Sequence, residues 1–267
     1  MSLQRVLVTG AAGNLGRLMR PRLARPDRIL RLLDLAPLDP PAPGEQVETV
    51  TGSLTDPEIM AAACADVDAI IHLGGLSRED EWSRILAVNI DGTHTVLEAA
   101  RAAGVPRIVL ASSNHAVGYR KVGEAGADGL PGESTPRPDT YYGVSKATLE
   151  ALGSLYHERF GMDVSCVRIG SCFEKPADVR QLSLWMSPDD CARLLEACLA
   201  TETPGYRVMW GVSANTRAVV SLREAQEIGY VSHDDAEYFA DQVPPGELPE
   251  YIGGAFLETP LGQANPL

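Results

Sequence analysis

Short apolar runs rich in Val, Ile and Leu recur along this chain, and between them apolar positions return at helical spacing. The runs Arg5–Thr9, Ile29–Leu33, Val47–Val50, Ala69–Leu73, Arg107–Ala111 and Val164–Gly170 are short and, Glu48-Thr49 of the third apart, mostly apolar. They therefore predict strands buried on both faces, the pattern of a parallel sheet covered by helices. Helices are predicted after Gly16, over Pro57–Ala65, over Trp82–Ala103 with a polar Asn89 inside, and over Tyr142–Phe160. A further helix opens with Ser187 as N-cap, Pro188 at its first position and Asp189 and Asp190 in its first turn, a combination that satisfies orphan N–H groups and the helix dipole. A last strand follows at Tyr206–Trp210. Strand and helix thus alternate as successive βαβ units, and the fold class is α/β, a doubly wound Rossmann-type parallel sheet.

Two stretches break the period. Arg120–Thr140 is rich in Gly and Pro, and long irregular loops lie over sites more often than inside cores. Ala214–Leu267 has no clean period and contains Pro244-Pro245 and Gly253-Gly254; it is expected to form a small C-terminal lobe closing over a substrate. The expected division is a dinucleotide-binding core over residues 1–170 and a mainly substrate-binding lobe over 171–267, with strand 206–210 returning to the core.

Charge narrows the partners. The formal net charge of −13 argues against nucleic acid and anionic membrane, which need a cationic face, but leaves room for a small anion received by a local cation. Five cysteines, Cys64, Cys166, Cys172, Cys191 and Cys198, are odd in number and form no Cys-x-x-Cys pair. They read as reduced, apolar packing residues in a cytoplasmic protein. Met1-Ser2-Leu3-Gln4-Arg5 runs straight into the first strand with no signal peptide, and no apolar run reaches membrane length.

The first strand ends at Thr9 and is followed by Gly10, Gly13 and Gly16. A strand, a glycine turn and a helix start let backbone approach a pyrophosphate at the helix N-terminus, so Gly10, Gly13, Asn14, Leu15 and Gly16 are candidate cofactor contacts. The spacing is Gly-x-x-Gly-x-x-Gly. The second strand ends in Asp34, about 20 residues on, where a carboxylate accepts from the adenosine ribose hydroxyls. No Lys or Arg directly follows it, so NAD is favoured over NADP.

Tyr142 and Lys146 stand four apart and share one helix face. The expectation is that the ammonium, together with the charge of an oxidised nicotinamide, lowers the phenol pKa toward neutrality. Tyr142 would then be a general base on a substrate hydroxyl, with Lys146 also holding the nicotinamide ribose.

With these residues in place, the sequence resembles the extended, epimerase/dehydratase-like branch of the short-chain dehydrogenase/reductases, from the glycine loop through Asn89, Ser112-Ser113 and Tyr142-x-x-x-Lys146 to the sixth strand. Within it the chain is similar to the uronate dehydrogenase family through His72-Leu73-Gly74-Gly75, Ser113-Asn114-His115, Arg168-Ile169-Gly170-Ser171-Cys172 and Trp210-Gly211-Val212-Ser213-Ala214-Asn215. The resemblance implies oxidation of a hexuronic acid at C1 to an aldarolactone with NAD, no metal being required. It also implies that Leu35, Ser53, Leu54, His72, Leu73, Gly74, Gly75 and Ser171 touch cofactor, that Ser113 joins Tyr142 and Lys146 in catalysis, that Ser77, Ser113, Asn114 and His115 hold sugar hydroxyls, and that Arg180 clamps the C6 carboxylate. The helices Trp82–Ala103 and Tyr142–Phe160 resemble those through which the superfamily pairs subunits, so a homo-oligomer is expected. Three departures bear on the substrate: Ser53-Leu54 replaces an Asp-Leu pair, the loop before Tyr142 is longer, and Arg217-Ala218-Val219-Val220-Ser221 stands where two tryptophans and an acid are expected. A sugar-nucleotide epimerase, dehydratase or reductase, and a non-catalytic NAD(H)-binding regulator, are the competing readings.

Overall fold

The computed structural model describes residues 3–203 and 205–264; Met1-Ser2 and the end of the expected C-terminal lobe at 265–267 lie outside them. In chain order the elements are β1 (Gln4–Thr9), α1 (Asn14–Leu23), β2 (Arg28–Asp34), β3 (Val47–Thr51), α2 (Pro57–Cys64), β4 (Ala69–His72), α3 (Trp82–Ile85), α4 (Gly92–Ala102), β5 (Arg107–Ser113), α5 (Tyr141–Phe160), β6 (Asp163–Ile169), β7 (Ser171–Cys172), α6 (Gln181–Leu184), β8 (Trp185–Met186), α7 (Pro188–Ala200), β9 (Tyr206–Gly211) and α8 (Arg223–Gln226). Seven strands form one sheet in the order β3-β2-β1-β4-β5-β6-β9, every neighbouring pair parallel. The order reverses between β1 and β4, which opens a crevice beyond their carboxyl ends.

Alternate residues of the central strands feed opposite cores, which is why those runs read as apolar; β3, expected to be buried on both faces, is instead a partly exposed edge strand in which Glu48 pairs with Arg5 and Arg31. Val6, Val8, Leu30, Leu32, Ile71, Val109 and Val167 meet Met19 and Leu23 of α1 and Leu194, Leu195 and Cys198 of α7. Leu7, Leu33, Ile70, Ile108, Leu110 and Val164 meet Met60 and Cys64 of α2, Val96 and Leu97 of α4, and Leu149 and Tyr156 of α5. The cysteines are free thiols, four of them buried.

The single helix expected over Trp82–Ala103 is interrupted: between α3 and α4 lies a π-helical segment, Leu86–Asp91. Apolar periodicity does not register one widened turn, and such turns occur where a side chain is needed elsewhere. Asn89 sits in it, accepting from the Leu76 N–H (2.8 Å) and donating to the Leu76 carbonyl and to Ser145 Oγ (both 3.0 Å). At α5 the Thr140 hydroxyl accepts from the Gly143 N–H, so the helix opens at Tyr141. The α7 cap is as read from the sequence, Ser187 Oγ accepting from the Asp190 N–H at 2.9 Å.

The C-terminal region and the loop Arg120–Thr140 fold onto each other. Backbone hydrogen bonds run from Ile252 to Arg120, from Gly253 to Gly118, from Val122 to Glu250 and from Leu130 to Val219, each 2.9 Å, and Leu130, Val220 and Ile252 pack with Val117, Leu184, Trp210 and Val212. Neither stretch has a period because neither is a regular layer; each is ordered by the other. Among the described residues no helix is long and apolar enough to cross a membrane.

Candidate active site

A cleft of about 1410 Å³ opens at the carboxyl ends of the central strands. On one side it is made of backbone. Gly10 has φ +70°, and a Cβ there would stand 2.7 Å from Gly74 Cα; a Cβ on Gly16 would stand 2.4 Å from the Gly10 carbonyl oxygen. Gly13 is the N-cap of α1 and supplies no side-chain cap, which leaves first-turn N–H groups for an anion. Asp34 lines the same crevice, accepting from the Ala12 N–H (2.9 Å) and the Ala36 N–H (3.0 Å). Asn14, Leu15, Leu35, Ser53, Leu54, Leu73, Gly74 and Gly75 line it too. These residues fit a dinucleotide: Gly10 and Gly16 allow backbone-to-backbone approaches that a Cβ would break, which leaves the turn and the uncapped start of α1 open to a pyrophosphate, and Asp34 offers an acid at the end of β2. The Ser53 hydroxyl is 2.7 Å from Thr55 Oγ1.

His72 is not in the cleft wall. It is buried in a relay: the Gly74 N–H donates to Thr9 Oγ1 (3.2 Å), Thr9 Oγ1 lies 2.8 Å from His72 Nδ1, His72 Nε2 lies 3.1 Å from Thr93 Oγ1, and Thr93 donates to the Asn89 carbonyl (2.6 Å). Since Thr93 spends its proton on Asn89, it accepts from Nε2–H, and Nδ1 accepts from Thr9. Burial pushes the imidazole down to about 3, aided by the charge of Lys146. His72 therefore stays neutral and ties the glycine turn to the π-helical segment; it does not line the cleft as the cofactor contact expected of it requires, whereas Leu73, Gly74 and Gly75 do.

At the other end of the cleft, β5 delivers Ser113 and α5 delivers Tyr142 and Lys146. Lys146 Nζ donates to the Ala111 carbonyl at 2.7 Å and lies 5.6 Å from the Tyr142 ring centroid. The lowered phenol pKa expected from Lys146 is not what the chain alone produces. Burial pushes Tyr142 up to about 12, the Ser113 hydroxyl opposes the shift and the Asp139 charge adds to it. Burial also brings Lys146 down to about 8, against Glu150, which favours its charge. For both groups the loss of water is the largest influence and outweighs the opposing neighbour, Ser113 for Tyr142 and Glu150 for Lys146.

The substrate-side residues Ser77, Asn114, His115 and Arg180 all line this cleft, as does Ser171, expected at the nicotinamide end of the cofactor. With the Asn114 amide nitrogen toward the carbonyls of Ile169 and Gly170 (both 3.2 Å), its oxygen accepts from Arg180 Nη2 at 2.6 Å. Asn114 thus holds Arg180 rather than reaching first for a ligand. Arg180 Nε donates to the Ile252 carbonyl at 2.8 Å, and among the described residues no carboxylate lies within 4.0 Å of the guanidinium. His115 Nδ1 is 2.7 Å from Asp139 Oδ2, and its ring stacks on Phe256 at 4.0 Å between centroids. Burial lowers its pKa, Asp139 opposing and Arg180 adding to the effect.

Four groups carry weight here that the sequence does not single out. Buried Glu79 accepts from the Tyr142 N–H and the Gly262 N–H, each 2.9 Å, so one carboxylate joins the start of α5 to the C-terminal segment. Glu150 receives two hydrogen bonds of 2.8 Å from Arg168 and one of 2.6 Å from Ser112, directly below Lys146. Asp139 and Phe256 frame His115. Only Glu150 had a legible signal, since Tyr142, Lys146 and Glu150 fall at successive intervals of four on one helix face; the others depend on contacts between distant segments.

The NAD dependent epimerase/dehydratase family matches residues 6–176, and the uronate dehydrogenase of Agrobacterium fabrum is 43% identical over 267 residues, spanning 97% of this chain and 98% of its own length. The chain belongs to this family. Among its members, a crystal structure of uronate dehydrogenase from Agrobacterium tumefaciens, a mutant complexed with NAD, is similar at a TM-score of 0.91 and 41% identity, covering 98% of this chain and 100% of that one. The NAD-dependent glucose-6-phosphate dehydrogenase of Haloferax volcanii is 34% identical over 258 residues, 91% of this chain and 98% of that protein. Membership bears out the Rossmann-type α/β fold, the oxidoreductase class and NAD as cofactor.

Proposed function

We propose that this protein oxidises a hexuronic acid, galacturonate or glucuronate in its cyclic hemiacetal form, at C1 to the aldarolactone. The observation behind this reading is Arg180. Its guanidinium faces the cleft without a carboxylate partner among the described residues, gripped through Nε by Ile252 and through Nη2 by Asn114. A half-buried cation held so firmly, with Asp178 and Asp139 acting on it only beyond ion-pair distance, is a receptor for an anion, and a planar carboxylate matches the guanidinium fork.

The backbone of Gly10, Gly13, Asn14, Leu15 and Gly16 would take the pyrophosphate, Asp34 and Leu35 the adenosine ribose, Ser53 and Leu54 the adenine, and Leu73, Gly74, Gly75, Lys146 and Ser171 the nicotinamide half. NAD, when bound, supplies the hydride acceptor. Tyr142, as phenolate, takes the proton of the C1 hydroxyl while Ser113 holds that oxygen. Ser77 and His115 receive neighbouring hydroxyls, and Asn114 acts through Arg180. Because the base form is the active one, kcat/KM should climb with pH on the acid side, about tenfold per unit. Residues 171–181 and 253–264 supply the substrate-facing cover, whereas α7 and β9 between them belong to the sheet core. Leu155 and Phe160, exposed on α5, support homo-oligomerisation through α4 and α5, which light scattering tests.

NADH formation should be assayed with glucuronate, galacturonate, glucose 6-phosphate and UDP-glucuronate. The reading expects turnover with free uronates. Arg180→Gln should raise uronate KM about 30-fold or more, the ~2 kcal/mol of a charge-assisted pair, with NAD affinity kept. Turnover confined to the phosphorylated or nucleotide-linked sugar, or an unchanged KM in Arg180→Gln, overturns it.

A further inference from the structure

We propose that Asp139, which lies behind the cleft wall, is a positioning residue: it fixes His115 as the Nδ1–H tautomer, so that Nε2 meets the substrate as a hydrogen-bond acceptor and selects a sugar hydroxyl. The inference rests on the uronate reading for the identity of the sugar, and on the geometry below for the dyad itself.

The Asp139 side chain has no exposed surface. Its Oδ2 faces His115 Nδ1 at 2.7 Å, and its Oδ1 accepts from the Thr140 hydroxyl at 3.0 Å. Two glycines from separate segments close on the same carboxylate: a Cβ on Gly118 or Gly253 would lie 1.8 or 2.1 Å from Oδ2. Among the described residues no Lys or Arg comes within 4.0 Å of it, and its one ionic partner is His115. A sealed carboxylate without a cation is costly unless hydrogen bonds satisfy it. Being acceptor-only, it requires the imidazole proton on Nδ1.

The ring itself is immobilised. Phe256 stacks on one face at an interplanar angle of 27°, and Tyr142 meets it edge-on at 5.8 Å. His115 lines the cleft and Asp139 does not, so Asp139, the imidazole and the bound sugar would follow one another in line. Nε2 has no hydrogen-bond partner among the described residues. The charged and titratable groups facing the ring are Asp139, Arg180 and Tyr142; burial and Arg180 favour the neutral imidazole. A neutral ring protonated at Nδ1 presents a lone pair, which accepts from a hydroxyl and gains nothing from a group that cannot donate.

Two measurements decide this. Long-range ¹⁵N–¹H correlation spectra of the full chain at pH 8, with the His115 signals assigned by comparison with His115→Asn, should show the neutral Nδ1–H form; an Nε2–H tautomer or an imidazolium overturns the proposal whatever the substrate. The second compares glucuronate with its monodeoxyfluoro analogues, since fluorine cannot donate. At one ring position the wild type should lose about tenfold or more in kcat/KM, and Asp139→Asn should shrink that loss to about threefold or less, with NAD affinity unchanged. If Asp139→Asn discriminates among the analogues as the wild type does, Asp139 is only structural and the proposal fails. A wild type that turns over no uronate defeats the substrate reading instead, and the tautomer then decides the dyad.

Discussion

From Gly10 to Gly75 the wall of the cleft is backbone brought close by missing Cβ atoms, while from Asn114 to Ala264 it is side chains held by other side chains and by distant carbonyls. The first wall is made within and between adjacent parallel strands. The second is tied by bonds between residues far apart in sequence, 72 positions for Arg180 with Ile252 and 183 for Gly262 with Glu79. Surfaces that read a shared pyrophosphate need only conformation and N–H groups. Surfaces that read a particular sugar acid need placed charges and tautomers, and those are set by the packing of loops.

Tyr142→Phe tests whether the two walls meet in one reaction. It should lower kcat/KM about 10³-fold while NAD and uronate both still bind, as read by fluorescence titration and calorimetry; retention of more than a tenth of the activity would mean that another group takes the proton. Gly16→Val strikes the backbone wall alone. The added side chain meets the Gly10 carbonyl and Ala11, and overpacking of ~3 kcal/mol should weaken NAD about 100-fold while a uronate titrated alone binds as before. An NAD affinity unchanged in this variant would dissociate the glycine turn from the cofactor.

Glu79→Gln strikes the side-chain wall. Losing one of two carboxylate acceptors, it should cost about 1–2 kcal/mol in urea unfolding, raise uronate KM, and speed amide exchange around Gly262 with NAD affinity unchanged. Equal weakening of both ligands would make Glu79 a general support instead. His72→Gln has the smallest effect at neutral pH. Wild-type His72 takes up no proton until about pH 3, whereas in the unfolded chain it protonates near 6.5, so falling pH favours unfolding across that window. Relative to His72→Gln, the wild type should lose up to ~1.4 kcal/mol per pH unit below 6.5 and nothing above it. A stability difference independent of pH between 7 and 5 would show the imidazole to be charged in the fold.

The legible part of this protein is the part in which residue type alone states the geometry. Gly10, Gly13 and Gly16 after a β-branched run name a turn, Asp34 marks the end of the next strand, and Tyr142 with Lys146 can share a face only on a helix. The family resemblance put His72 among cofactor contacts together with Leu73-Gly74-Gly75, yet its side chain is buried between Thr9 and Thr93. The apolar periodicity ran one helix through Asn89, since a single widened turn leaves apolar spacing almost unchanged.

By itself the sequence determined the parallel sheet, its crevice and the residue types of the nucleotide wall, because these follow from local periodicity, from glycine conformations and from spacing along one helix. Only the tertiary structure decided that Asn114 grips Arg180, that Asp139 stands behind His115, that Glu79 fastens the C-terminal segment to α5, and that burial leaves Tyr142 up to about 12. Each of these depends on which distant groups meet and on how much water their meeting excludes, and no local pattern along a chain encodes either quantity.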